Sequence, residues 1–222
     1  MSAALLAYQA DLLLRSQRWL APVLLYAAFA AVGVQAGQPV LDSVAYGAAA
    51  LLPVGAWLVR ICVTNEPPAA RGCTAAATTP GRAHLASLTA GFLATAVVGV
   101  VATAVVVLIS DGVSTDHQIR VAKWSAAGAG LLAALVCALV GAAVGAVTTW
   151  PVVRGTGLGV AGLVLCTLAA LVAPGSPAKA VVSGLVTGSQ DGAVPVLFLP
   201  FGGAVVVAGL CAAASCALAS RR

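Results

Sequence analysis

Residues 86–110 read ASLTAGFLATAVVGVVATAVVVLIS, 25 positions without a single charge. About 20 apolar residues suffice for a helix to cross the hydrocarbon core of a bilayer. This stretch exceeds that length, so it predicts a membrane-spanning helix. Comparable runs occur on both sides of it. Residues 21–37, 44–64, 125–149, 156–173 and 200–219 are each dominated by Ala, Val, Leu and Gly. Across all 222 residues, 61% are hydrophobic and 8% charged. A soluble domain of this size cannot hide so much apolar surface. The expectation is an all-α integral membrane protein with six transmembrane helices forming one domain over residues 1–222.

The segments between the runs carry the rest of the organisation. Residues 1–20 place Leu5, Leu6, Leu12, Leu13 and Leu20 at helical spacing, interrupted by Gln9, Asp11, Arg15 and Arg18. This pattern predicts an amphipathic helix on the membrane surface, with Trp19 at headgroup depth. A frayed soluble helix is the alternative. The charges follow the apolar residues instead of preceding them, unlike a secretory signal. Pro53 falls inside the second run and should kink it, and Arg60, near its end, can snorkel to the interface. Residues 65–85, NEPPAARGCTAAATTPGRAHL, form the longest clearly polar stretch. Pro67 and Pro68 stop the preceding helix, and Thr78 to Gly81 read as a turn. Between these breakers, Ala69 to Thr78 can form a short surface helix. Residues 174–199 are glycine-rich and semi-polar, which suits a re-entrant or interfacial pair on the outer side. Gly141 and Gly145 make a small-xxx-small pair of the kind that lets helix backbones approach.

Basic residues set orientation. With six spans and both termini cytoplasmic, Arg15, Arg18, Arg60, Arg71, Arg82, Arg154, Arg221 and Arg222 lie inside, and Arg120, Lys123 and Lys179 outside. The net charge of +5 is scattered over span ends, which argues against nucleic-acid binding, where cations cluster in a stripe. Lysine is scarce beside arginine, a bias common in GC-rich bacterial genomes.

Machinery at membrane depth is sparse. Asp42, Asp111, Asp116 and Asp191 all fall in connections, whereas ion-coupled carriers place charge within their spans. His84 and His117 fall in loops on opposite sides, where each reads as a solvated interfacial residue and the two cannot share a metal. Cys62, Cys73, Cys137, Cys166, Cys211 and Cys216 match no zinc or disulfide spacing and read as small packing residues. Gly157, Gly159 and Gly162 match G-x-G-x-x-G, but no strand precedes them and the motif opens a span. No P-loop motif occurs. If the chain takes part in ATP-driven transport, another polypeptide must therefore supply the hydrolysis. The chain itself is expected to be no enzyme and to bind no cofactor or metal.

The order of these features resembles the permease subunit of a type-2 ATP-binding cassette exporter. LLAYQADLLLRSQRWL (5–20) is similar to the elbow helix, with Arg15, Arg18 and Trp19 at the interface. TNEPPAARGCTAAATTPGRAHLASL (64–88) is similar to the coupling segment, with Glu66, Arg71, Arg82 and His84 as its polar residues. PGSPAKAVVSGLVTGSQDGAVPVLFLP (174–200) is similar to the outer re-entrant hairpin before the last span. The resemblance covers nearly the whole chain and rests on architecture, with no diagnostic motif. It implies two permease subunits, identical or paralogous, paired with two separate nucleotide-binding subunits in the cell membrane. ATP would bind on those partners, whose closure pushes the coupling helices. An apolar or amphipathic cargo such as a peptide, lipid or drug suits the composition. Two other readings stand beside this one. A secondary carrier or scaffold would favour an internal repeat, yet the 65–85 segment has no counterpart in the second half. A lipid-processing enzyme would need a convergent acid, base, nucleophile or metal set, and none is evident.

Overall fold

The computed structural model describes residues 3–153 and 155–221, whose regular structure is all helical, with two isolated bridges and no strand among them. In chain order the helices are α1 (Ala3–Ser16), α2 (Leu20–Gly33), α3 (Val40–Asn65), α4 (Pro68–Ala77) and α5 (Pro80–Ile109). They are followed by α6 (Lys123–Val147), α7 (Thr156–Val172), α8 (Pro177–Asp191) and α9 (Phe198–Ser220).

Four of these, α3, α5, α6 and α9, are long and apolar enough to cross a membrane. The pair α7 and α8 meets the same test when taken together, with a 46° bend at the break. That makes four to five candidate spans and fits a multi-pass membrane protein. The remaining expected span is shorter than the apolar run at 21–37 implied. Helix α2 has 14 residues, about 21 Å at 1.5 Å per residue, against a hydrocarbon core of about 30 Å. Val34 leaves the helix in an extended conformation, and Gly37 takes a positive φ of 84° that turns the chain toward α3.

Helices α3 and α6 form the centre. In each, 67% of the most apolar stretch is buried, against 22% in α5 and 11% in α9. The two central helices pack most extensively on one another. Small residues permit this. A Cβ added at Gly141 would lie 2.7 Å from the Leu52 carbonyl oxygen, and one at Gly145 2.8 Å from Val59 Cβ and 3.0 Å from the Ala56 oxygen. The α6 backbone thus rests directly against α3. Pro53 lies within α3, which continues through it to Asn65. The outer helices α2, α5, α7 and α9 present Leu25, Phe29, Val101, Leu108, Leu165 and Leu210 outward. Apolar residues exposed on every side suit lipid as the surrounding solvent. Three buried threonine hydroxyls bond the carbonyl four residues earlier: Thr95, Thr149 and Thr167 donate to the carbonyls of Gly91, Gly145 and Leu163 at 2.7–2.9 Å, whereas the buried Ser43 and Ser110 hydroxyls have no partner among the described residues.

Polar residues collect at the two ends of the bundle. At one end, residues 110–122 fold back on themselves. Thr115 Oγ1 donates to Asp42 at 2.9 Å and bonds Ser189 Oγ at 3.0 Å, tying the start of α3 and the α5–α6 connection to the end of α8. At the opposite end, Arg60 donates to the carbonyls of Thr148 and Thr156 at 3.2 and 3.3 Å. It thereby satisfies the Thr148 carbonyl just past the last turn of α6 and adds a bond to the Thr156 carbonyl in the first turn of α7. The pair α7–α8 therefore starts beside Arg60 and ends beside Thr115, running from one end of the bundle to the other. Segment 192–197 then returns along α8, with Pro195 against Gly184 and Gly188.

Candidate functional site

The end marked by α4 holds the densest polar constellation. Pro67 and Pro68 end α3 and start α4, Pro at the first helical turn being well tolerated because its missing N–H has no partner there anyway. Thr79 closes the other side by accepting from the Arg82 N–H at the start of α5. The result is a ten-residue helix held between two spans by prolines at both ends.

Glu66 lies at the junction and is 5% exposed. Its Oε2 accepts from Gln9 Nε2 of α1 at 3.2 Å, and its Oε1 accepts from Thr74 Oγ1 of α4 at 3.1 Å. One carboxylate therefore links α1, α3 and α4. Burial and the neighbouring Glu66 carboxylate push the Tyr8 hydroxyl of α1 above its usual range. Asn65 adds a second tie to α1 by donating to the Leu12 carbonyl at 2.9 Å.

Arg71 turns the other way. Its guanidinium donates to the carbonyls of Val63 and Glu66, closing the C-terminus of α3. The same group lies over the Trp150 ring at 4.9 Å from its centre. Trp150 sits in the connection between α6 and α7, and His84 of α5 packs against it with centroids 5.9 Å apart and planes at 77°. These side chains border an open cleft of about 530 Å³ that also includes Val63, Ser87 and Ala219.

The structure thus brings together three of the four polar residues singled out in the 65–85 stretch, Glu66, Arg71 and His84. Arg82 is exposed on the first turn of α5 and does not border the cleft. His84 differs from its sequence reading as a solvated loop residue. Helix α5 begins at Pro80 instead of near residue 86, so His84 falls on its inner face and is 5% exposed. Its Nε2 is buried without a hydrogen-bond partner. His117 is exposed at the opposite end of the bundle. Arg15 and Arg18 are exposed around the break between α1 and α2, and the half-buried Trp19 packs near Leu13 and Ile61. Arg154 and Arg222, counted in the charge balance, lie outside the described residues.

Gln9, Thr74 and Trp150 were not marked by the sequence. Gln9 carried the one available signal, a polar residue in register with Leu5 and Leu13 on the face of α1 that is buried. Trp150 stands beside Pro151 just past the end of the 125–149 run, where nothing in the sequence pairs it with the 65–85 stretch.

Two apolar grooves flank α5 on the side of α1 and α2. One of about 540 Å³ is lined by residues including Leu6, Leu13, Trp19 and Leu93. The other, about 450 Å³, is lined by residues including Tyr26, Ala30, Val101 and Val105. They share Val23, Val97 and Val98 and so form one continuous trough. Among the described residues no group of three or more His, Cys, Asp or Glu could hold a metal ion. No protein-family model, no curated protein and no solved structure matches this chain.

Proposed function

We infer that this chain is the permease subunit of an ATP-binding cassette exporter, worked by a separate ATPase. The observation that carries the reading is the way α4 is held. It is a short helix between two spans, tied at Thr74 and Arg71 to the Glu66 junction and, through Trp150, to the α6–α7 connection. Its outer face, Ala69, Gly72, Cys73 and Ala76, is exposed at i, i+3, i+4 and i+7. A force applied to that face is passed to α1, α3, α5 and α6 together, which is what an ATPase-driven transmitter requires.

The count of crossings supports the same reading. Trp19 packs near Ile61 of α3, and Val34 packs in the cluster of Val40 and Val106. The two ends of α2 therefore lie toward opposite ends of the bundle. Taking α2 as a short span and α7–α8 as one broken span gives six. An even number brings both termini to the α4 end. Arg60, Arg71, Arg82 and Arg221 gather there, while Arg120 and Lys123 mark the other end, so the positive-inside rule turns the α4 end to the cytoplasm of a cell-membrane protein. The apolar trough between α2 and α5 suits an apolar or amphipathic cargo, and a second permease subunit would complete the pathway.

The test is co-purification with an ATPase encoded beside the gene, followed by charges placed on the outer face of α4. Ala69→Glu and Ala76→Glu should abolish stimulated ATPase activity while leaving the chain folded, because neither side chain is buried. Undiminished stimulation in both variants, or transport by the purified chain alone in liposomes, would overturn the reading.

A further inference from the structure

We propose that the cleft between Arg71, His84 and Trp150 is a binding site for a phosphate-type oxyanion, presented either by an anionic lipid headgroup or as free phosphate. The inference does not depend on an ATPase partner. It begins from depth in the membrane. Helix α5 has 30 residues, about 45 Å at 1.5 Å per residue, and the hydrocarbon core takes up about 30 Å of that. Its first turns, including His84, therefore stand at headgroup level, and the cleft of about 530 Å³ opens there.

The chemistry of the lining selects the charge. Arg71 is half-buried, and no acidic side chain among the described residues lies within ion-pair reach of its guanidinium. Its known partners are two backbone carbonyls and the Trp150 ring. A guanidinium offers five donors in a planar fork matched to phosphate geometry. His84 supplies an independent sign of a missing partner, since it borders the cleft, is 5% exposed and leaves Nε2 unbonded. Buried polar atoms without partners are uncommon in folded proteins and ask for an explanation. An oxyanion accepting from both Arg71 and His84 provides one.

Glu66 also borders the cleft, and its negative charge works against an anion there, a cost that Arg71 must outweigh. Both Glu66 carboxylate oxygens already accept, from Gln9 and from Thr74, on the sides facing α1 and α4. A cationic ligand would meet Arg71 across the same space. A wholly apolar ligand would strip water from Arg71 and leave Nε2 of His84 as it is.

The experiment uses the full chain in two arms. In one, it is placed in nanodiscs of phosphatidylcholine with or without added phosphatidylglycerol. In the other, it is held in neutral detergent and titrated with inorganic phosphate against chloride at equal ionic strength. Thermal unfolding reads the stabilisation that binding confers. Saturable stabilisation by phosphatidylglycerol alone identifies a headgroup as the source, and stabilisation by phosphate identifies the free anion. In whichever arm responds, Arg71→Gln and His84→Phe should each weaken the apparent affinity by about tenfold, the loss of one charge-assisted hydrogen bond. His84→Phe keeps the ring contact with Trp150, so it remains informative should Arg71→Gln fail to fold. No response in either arm, or a His84→Phe response equal to that of the wild-type chain, overturns the proposal.

Discussion

Gln9 donates its side-chain amide to the Glu66 carboxylate at 3.2 Å, joining residues 57 positions apart in the chain. Both side chains are buried, at 2% and 5% exposure. The bond therefore fixes α1 to the α3–α4 junction, and removing Gln9 leaves Glu66 Oε2 without this donor away from water, while Oε1 still accepts from Thr74. Gln9→Leu should destabilise the detergent-solubilised chain by about 1–3 kcal/mol. Gln9→Leu combined with Glu66→Met should cost less than the sum of the two single changes, because the orphaned carboxylate is then absent. A thermal-unfolding double-mutant cycle measures this coupling, and strict additivity would show that the contact is incidental.

Arg71 and Trp150 give a second cycle. The guanidinium lies 4.9 Å from the ring centre while its nitrogens close the end of α3. Arg71→Lys keeps the charge but loses the planar fork. It should lower stability and expose α4 to limited proteolysis. Trp150→Leu should remove about 0.5–2 kcal/mol of the Arg71 contribution, the range for a cation over an aromatic face. Proteolytic cleavage within 66–79 that stays as slow in Arg71→Lys as in the unaltered chain would contradict a holding role.

Four of the six expected spans, α3, α5, α6 and α9, were legible because apolar length is a property of contiguous sequence. The 86–110 run, the prolines at 67, 68 and 80, and the small residues Gly141 and Gly145 all act locally or within one helix pair. Two things were not legible. The start of α5 was displaced because Thr79 and Pro80 form a cap and first turn, so the polar stretch through His84 is helical instead of looped. The partners of Glu66 and Arg71 were hidden because Gln9 and Trp150 come from segments 57 and 79 residues away. Hydropathy contains no register between such segments. Only packing of α1 and α6 on α3 brings them together.

The α3–α6 contact makes a sharp prediction about volume. A methyl at Gly141 would meet the Leu52 carbonyl at 2.7 Å, whereas a methyl at Gly202 of α9 meets nothing within 4 Å. Gly141→Ala should cost about 1–3 kcal/mol through overpacking. Gly202→Ala should be neutral or slightly stabilising, because alanine is the better helix former by about 1 kcal/mol. Side-by-side thermal unfolding of the two purified variants checks this. Equal stability would mean that α6 can move away from α3 at little cost.

Orientation can be read from cysteine chemistry. Cys73 is exposed on α4, while Cys62 and Cys137 are buried in the bundle and Cys166, Cys211 and Cys216 are half-buried along apolar helices. A membrane-impermeant maleimide should therefore react chiefly at Cys73, and Cys73→Ser should remove most of the label. If the arginine-rich end faces the cytoplasm, intact cells or right-side-out vesicles should show no reaction at Cys73, and inside-out vesicles should react rapidly. Labelling of Cys73 in intact cells would place α4 outside, beyond the reach of a cytoplasmic ATPase. The transmitter role would then be lost, while the packing of Glu66, Arg71 and Trp150 would stand unchanged.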